Sequence, residues 1–116
     1  MQHIYLKGDV VVVDLGLPPN AIVGHEQART RPCIVIKYFK SLKLLTVIPC
    51  TSQKPKYSLY SIVELNNGSG GLTSDSYALC HQIRSVSIDR IVDKKGTLSI
   101  QDQLRINSVL IDVLEL

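Results

Sequence analysis

The chain has 116 residues, 45% of them hydrophobic, with 13 Lys and Arg against 10 Asp and Glu for a net charge of +3. This length suits a single domain over 1–116, large enough to bury roughly 65% of the surface its unfolded chain exposes without a staple. No apolar run approaches the roughly 20 residues that span a bilayer, and no basic segment with a long apolar core opens the chain, so the expectation is a cytoplasmic protein with no membrane contact. Cys33, Cys50 and Cys80 are far apart with no paired motif, which argues against a disulfide framework or zinc site and makes buried reduced thiols the expectation.

Taken in chain order, the run Val10–Leu15 reads as a buried strand. Leu17–Thr30 reads as a long loop opened by Pro18-Pro19-Asn20, of a length usually kept for function. Cys33–Lys37 and Leu44–Ile48 form a strand pair, and Ser61–Leu65 alternates like a strand with one exposed face. Asn66–Gly71 is a turn cluster and not a phosphate cradle, since no strand-to-helix context or P-loop lysine accompanies it. Tyr77–Cys80 and Arg84–Ile88 supply more strand, and Asp89–Lys95 reads as a short turn or helix before Gly96. Ser99, with Asp102 three residues on, caps a C-terminal helix over Ile100–Leu114. Its Ile100, Leu104, Ile111 and Leu114 share one face, expected to cover the core.

Charge is unevenly spread along this frame. Residues 1–60 carry eight basic and three acidic side chains, a balance of +5, while 61–116 carry five basic and seven acidic, a balance of −2. The basic half fits a phosphate backbone or an acidic protein tail as well as an ordinary solvated surface. It also holds two loops with chemical content. The first runs through Gly24-His25-Glu26-Gln27 to Arg29 and Arg31-Pro32; the second is Pro49-Cys50-Thr51-Ser52-Gln53. A residue before proline is held extended, so Arg31 stands at a strand entrance. Antiparallel pairing of the strands that follow and precede these loops brings its guanidinium near the Thr51 and Ser52 hydroxyls and the Gln53 amide, a set able to hold phosphate.

Gly8-Asp9 ahead of Val10–Leu15, Gly24-x-Glu26-Gln27, Arg31-Pro32, Pro49–Gln53, Gly71-Leu72 with Asp75-Ser76, and Gln82-Ile83-Arg84-Ser85-Val86 resemble, in order and over nearly the whole chain, the pattern of the MazF/PemK toxins. The resemblance implies a mainly β fold with short helices, an SH3-like barrel of the MazF/CcdB type with a C-terminal α-helix. It implies a ribosome-independent endoribonuclease of a type II toxin–antitoxin pair that cuts single-stranded RNA at short sequences without a cofactor or metal. Its partners would be the RNA, a cognate antitoxin and a second copy in a homodimer.

The family's usual catalytic pair corresponds to Arg31 and Thr51. The candidate substrate contacts are Glu26, Gln27, Arg29, Ser52, Gln53, Lys54, Gln82 and Arg84. A metal-independent ribonuclease must direct the 2′-hydroxyl at the adjacent phosphate, stabilise the added negative charge, and protonate the leaving 5′-oxygen. Arg31 suits charge stabilisation, because its planar fork makes two contacts to phosphate oxygens. A guanidinium holds its proton too tightly to serve easily as the acid. His25, beside Glu26, is the candidate base. Plainer readings stay open: an Arg31–Glu26 surface ion pair, a turn capped by Thr51 and Ser52, a solvent-exposed His25. Two departures from the family stand out. Arg29 occupies a position where the family has glycine, which is expected to deny the loop easy access to positive φ and narrow its conformations. Aromatic side chains for base stacking are scarce, with Tyr57 and Tyr60 nearest the second loop. The alternatives in function are a CcdB-like gyrase poison on the same barrel, whose C-terminal tryptophan region this tryptophan-free chain lacks, and a degenerate module that binds RNA or antitoxin without cutting.

Overall fold

The computed structural model describes residues 4–16, 29–56 and 60–116. Seven strands precede one helix: β1 (Asp9–Asp14), β2 (Thr30–Phe39), β3 (Leu44–Thr51), β4 (Ile62–Leu65), β5 (Ser76–Leu79), β6 (Arg84–Ser87), β7 (Ile91–Thr97) and α1 (Ile100–Val113). All recorded pairings are antiparallel, in the order β4-β5-β3-β2-β1-β7, with β6 also on β3. β3 is therefore the hub, and its two ends serve different neighbours. Its first half bonds β6 on one side and β2 on the other, while Cys50 and Thr51 bond Ala78 and Tyr77 of β5.

The run β7-β1-β2-β3-β6 is the barrel portion. It is not closed by strand pairing; its end strands β6 and β7 are joined by a 3-10 turn, Ile88–Arg90. The valine run of β1 explains itself here, because both faces of the sheet are covered. Val11 and Val13 join Leu15, Cys33, Val35, Leu45, Val47 and Val86 in one core, edged by Tyr5, Tyr38, Ile88 and Ile91. Val10 faces the other way, into a core with Ile34, Ile48, Cys50, Leu65 and Leu98. A strand buried on both faces loses the polar alternation of a half-exposed one.

Two expectations need correction. Asp89–Lys95 is not a turn or short helix throughout: only Ile88–Arg90 turns, and Ile91 onward is the end strand β7. Its ladder with β1 slips between Val10 and Val11 and again between Val12 and Val13, and each slip breaks the two-residue period that marks a strand. The core-facing side of α1 also differs. Ile106 and Leu110 are buried and Val109 and Val113 pack beside them, whereas Ile100, Leu104, Ile111 and Leu114 are 67%, 60%, 50% and 45% exposed. The helix carries two apolar stripes, and periodicity alone does not choose between them. Ser99 caps α1 as expected, its hydroxyl accepting from the Asp102 N–H. No helix among the described residues is long and apolar enough to cross a membrane.

The Gly8-Asp9 element has a structural use. Asp9 is 1% exposed, yet its carboxylate accepts from Thr97 Oγ1 at 2.7 Å and the Leu6 N–H at 2.9 Å and pairs with Lys94 Nζ at 3.1 Å. It ties the segment before β1 to the end of β7. Burial by itself would raise its pKa, but these hydrogen bonds and the lysine charge outweigh that and hold the carboxyl below the usual range.

Candidate active site

The two loops meet where β2 and β3 part. Cys33 stands opposite Pro49, the last recorded pair of that ladder. Beyond it β2 stays on β1, with Pro32, Arg31 and Thr30 opposite Val12, Val13 and Asp14, while β3 crosses to β5. Proline at 32 and at 49 removes two backbone donors from the end of this ladder, which favours the split. Past that pair the strands take different partners: Arg31 opposes Val13 of β1 and Thr51 opposes Tyr77 of β5, so the two candidates flank the split. Arg31 is the second residue of β2, extended at the strand entrance as expected, and half-buried.

A cleft of ≈ 170 Å³ opens at this split, with Arg31, Cys50, Ser52, Ser74, Ser76 and Lys95 in its walls. Thr51 lies between two of these lining residues. Its Oγ1 accepts from the Gln53 N–H at 3.2 Å, so the turn-cap role is real; the hydroxyl proton remains available to a phosphate oxygen. Ser76 is buried and donates to the Ser74 carbonyl at 3.0 Å, and Asp75 accepts from the Asn67 N–H at 2.8 Å, so the wall after Leu72 is tied down. Gln53 and Lys54 are exposed just past β3.

Gln82 and Arg84 lie elsewhere, on elements that follow β5. Gln82 ends the 3-10 turn Cys80–Gln82, and Arg84 opposes Val47 from the β6 side, away from β2. Neither lines the cleft. Glu26, Gln27, His25 and Tyr57, with most of the long loop, fall outside the described residues; Tyr60 is 72% exposed.

Arg29 overturns an expectation. It takes φ 67° and so occupies the left-handed region that the substitution of glycine was expected to deny. Its carbonyl accepts from the Leu15 N–H at 2.9 Å and its N–H donates to the Gly16 carbonyl, while Asp14 Oδ1 receives the Gly16 N–H at 2.9 Å. These bonds close the base of the loop and repay a left-handed arginine, whose cost is roughly 1–2 kcal/mol.

The thiols are buried and not disulfide-bonded. Burial pushes Cys33 up to about 12, with the Arg84 charge pulling the other way, and pushes Cys80 up to about 11. Cys50, in the cleft wall, is raised by burial and by its thiol neighbours Cys33 and Cys80. None is a ready nucleophile. His81 sits with Nδ1 2.8 Å from Ser61 Oγ, its pKa lowered by burial. Among the described residues no three His, Cys, Asp or Glu side chains gather to hold a metal ion.

Lys95 and the Thr73–Ser76 wall were not among the sequence candidates. The signal for Lys95 was the pair Lys94-Lys95 before Gly96, hidden because this stretch did not read as a strand.

Comparison with known proteins agrees with the topology. The chain is 31% identical over 120 residues to endoribonuclease EndoA of Bacillus subtilis, covering 94% of this chain and 98% of that protein. MazF of Deinococcus radiodurans superposes with a TM-score of 0.81 at 20% identity, covering 99% of this chain and 100% of that one. An endoribonuclease of mycobacterial origin, solved in complex with its cognate antitoxin, superposes with a TM-score of 0.74 at 18% identity over 97% of both chains. The model of the PemK-like, MazF-like toxins of type II toxin–antitoxin systems matches residues 6–114, and the chain belongs to that family.

Proposed function

We propose that this toxin is a sequence-specific, metal-independent endoribonuclease acting on single-stranded RNA in the cytoplasm, with Arg31 and Thr51 as its catalytic residues. The observation that supports this reading is the split of β2 from β3, which opens a hydroxyl-rich cleft lined by Arg31 and by Cys50 and Ser52, the neighbours of Thr51. In this reading the 2′-oxygen attacks phosphorus as it loses its proton, and the phosphorus–5′-oxygen bond breaks as the 5′-oxygen gains one. The products are a 2′,3′-cyclic phosphate and a 5′-hydroxyl. Arg31 binds two non-bridging oxygens and Thr51 donates to one of them, so both contacts strengthen as charge accumulates. Ser52, Gln53 and Lys54 contact the strand beyond the cut, and Arg29, Gln82 and Arg84 bind its flanks. Glu26 and Gln27 orient Arg31 or meet bases, and His25 is the candidate base.

The partners follow from the same reading. The mycobacterial relative was solved with its cognate antitoxin, and the basic first half of this chain suits an acidic, partly disordered antitoxin segment. A homodimer sharing its groove completes the unit. The deciding experiment incubates the purified protein with a long single-stranded RNA, with and without chelator. Cleavage that survives chelator and leaves cyclic phosphate ends is expected, and RNA carrying 2′-deoxy or 2′-methoxy at the cut should resist. Cutting that requires a divalent ion, or that proceeds on DNA, overturns the mechanism; no cutting at all favours a binding module.

A further inference from the structure

Among the described residues two basic residues line the cleft, Arg31 from β2 and Lys95 from β7, and no acidic residue does. The position of Lys95 is built. In the β1–β7 ladder Val10 opposes Gly96 and Val11 opposes Lys94, so Lys95 is the extra residue of a β-bulge. A bulge breaks the alternation of side chains and re-aims one of them. Its neighbour Lys94 is committed to Asp9 at 3.1 Å, whereas half-buried Lys95 belongs to the cleft.

The turn before Leu72 presses on this bulge. Gly70 and Gly71 have φ 56° and 83°, and a Cβ on Gly71 would collide with the Lys95 carbonyl. A Cβ on Gly96 would lie 2.8 Å from the Gly70 carbonyl oxygen. The glycine cluster that reads as a plain turn is therefore what lets two backbones meet, and it fixes Lys95 beside the wall formed by Ser74 and Ser76.

We propose that Lys95 is a second phosphate ligand of the nuclease site, binding together with Arg31 the RNA phosphate held in the cleft. This rests on the reading of Arg31 as catalytic. The phosphodiester carries one negative charge and the pentavalent species formed by 2′-oxygen attack carries more, so a second cation in a confined cleft favours the transition state over bound RNA. An ammonium complements the arginine fork because it is a point charge with three rotatable donors.

The test compares Lys95→Met, Lys95→Arg and Arg31→Ala in the full chain, with Lys40→Met as a charge-matched control at the opposite end of β2. Single-turnover cleavage is measured at saturating concentrations of a single-stranded RNA oligonucleotide bearing one mapped cut. Binding is measured with the same oligonucleotide carrying 2′-deoxyribose at that cut. Lys95→Met should lower the saturating rate about 10–100-fold, Lys95→Arg should restore most of it, and Lys40→Met should match the parent. All melting temperatures should stay near the parent's. If Lys95→Met keeps its saturating rate while Arg31→Ala loses about a hundredfold, the Lys95 assignment is wrong and the reading of Arg31 stands. If Arg31→Ala itself cuts at the parent rate, the site reading fails first. Weakened binding with an unchanged saturating rate, or equal losses in Met and Arg variants with lowered melting, also overturns the proposal.

Discussion

At the scale of single residues, the catalytic assignment makes the sharpest demand. Arg31→Ala and Thr51→Ala should each lower turnover by at least about a hundredfold, roughly the effect of one lost stabilising donor. Both side chains lie at the end of a ladder and not in the core, so melting should barely change; near-native turnover in a folded variant would remove that residue from the pair. Arg29 is a different case because its backbone, at φ 67°, is strained. Arg29→Gly relieves roughly 1–2 kcal/mol of left-handed strain against about 0.4–1 kcal/mol of added unfolded-chain entropy. The melting temperature should therefore hold or rise, while RNA binding weakens and its salt slope falls by about 0.7, the single-strand value per contact. A collapsed saturating rate with an unchanged slope would move Arg29 into the catalytic set. Asp9 makes a pH-dependent contribution at the acid end. Its folded-state pKa is depressed, so its contribution is full above the unfolded value of about 3.9 and is lost as pH falls through the lower folded value. Thermal melting of the parent and of Asp9→Asn, followed from pH 7 downward, should show a gap that narrows below about pH 4; a constant gap would mean that the carboxylate charge contributes nothing.

At the scale of elements, α1 and β7 decide what surrounds the site. Ile106 and Leu110 of α1 lie in the core with Val10, Ile34 and Cys50, so Leu110→Ala should cost about 2–5 kcal/mol in denaturant unfolding. Leu104, 60% exposed, should cost less than about 0.5 kcal/mol when changed to serine in the isolated chain. Equal losses at the two positions would contradict the helix orientation. β7 shows a second use of irregularity. It ends the sheet, and the first of its two register slips coincides with Lys95, a lining residue of the cleft. An end strand so broken is also a poor template for further pairing.

For the whole molecule, the division of labour runs along β3. Its first half joins β2 to β6 in the barrel portion, and its last two residues serve β5, so the candidate site sits where one strand changes partners. Of the basic residues in the first half, Arg29, Arg31 and Lys54 lie at that end of β2 and β3, while Lys40 and Lys43 lie at the far turn. A homodimer with a shared groove should give a light-scattering mass near twice 12.9 kDa. A monomer that persists at micromolar concentration with full activity would rule out the shared groove.

Much of this was legible from the chain alone, for local reasons. Proline fixes the residue before it, so Arg31-Pro32 announced an extended arginine, and Ser99 with Asp102 announced a helix start through a bond only three residues long. Val10–Leu15 and Leu44–Ile48 read as strands because burial left them almost wholly apolar. Contacts between distant segments were decided only in three dimensions. Which stripe of α1 meets the core depends on where β1, β2 and β3 already stand, since both stripes have helical spacing. The left-handed Arg29 depends on Leu15 and Gly16 across the loop, and those bonds outweigh a propensity against it. Lys95 enters the cleft through a bulge against β1 and a glycine contact from residues 70 and 71, neither of which leaves a periodic trace in its own neighbourhood.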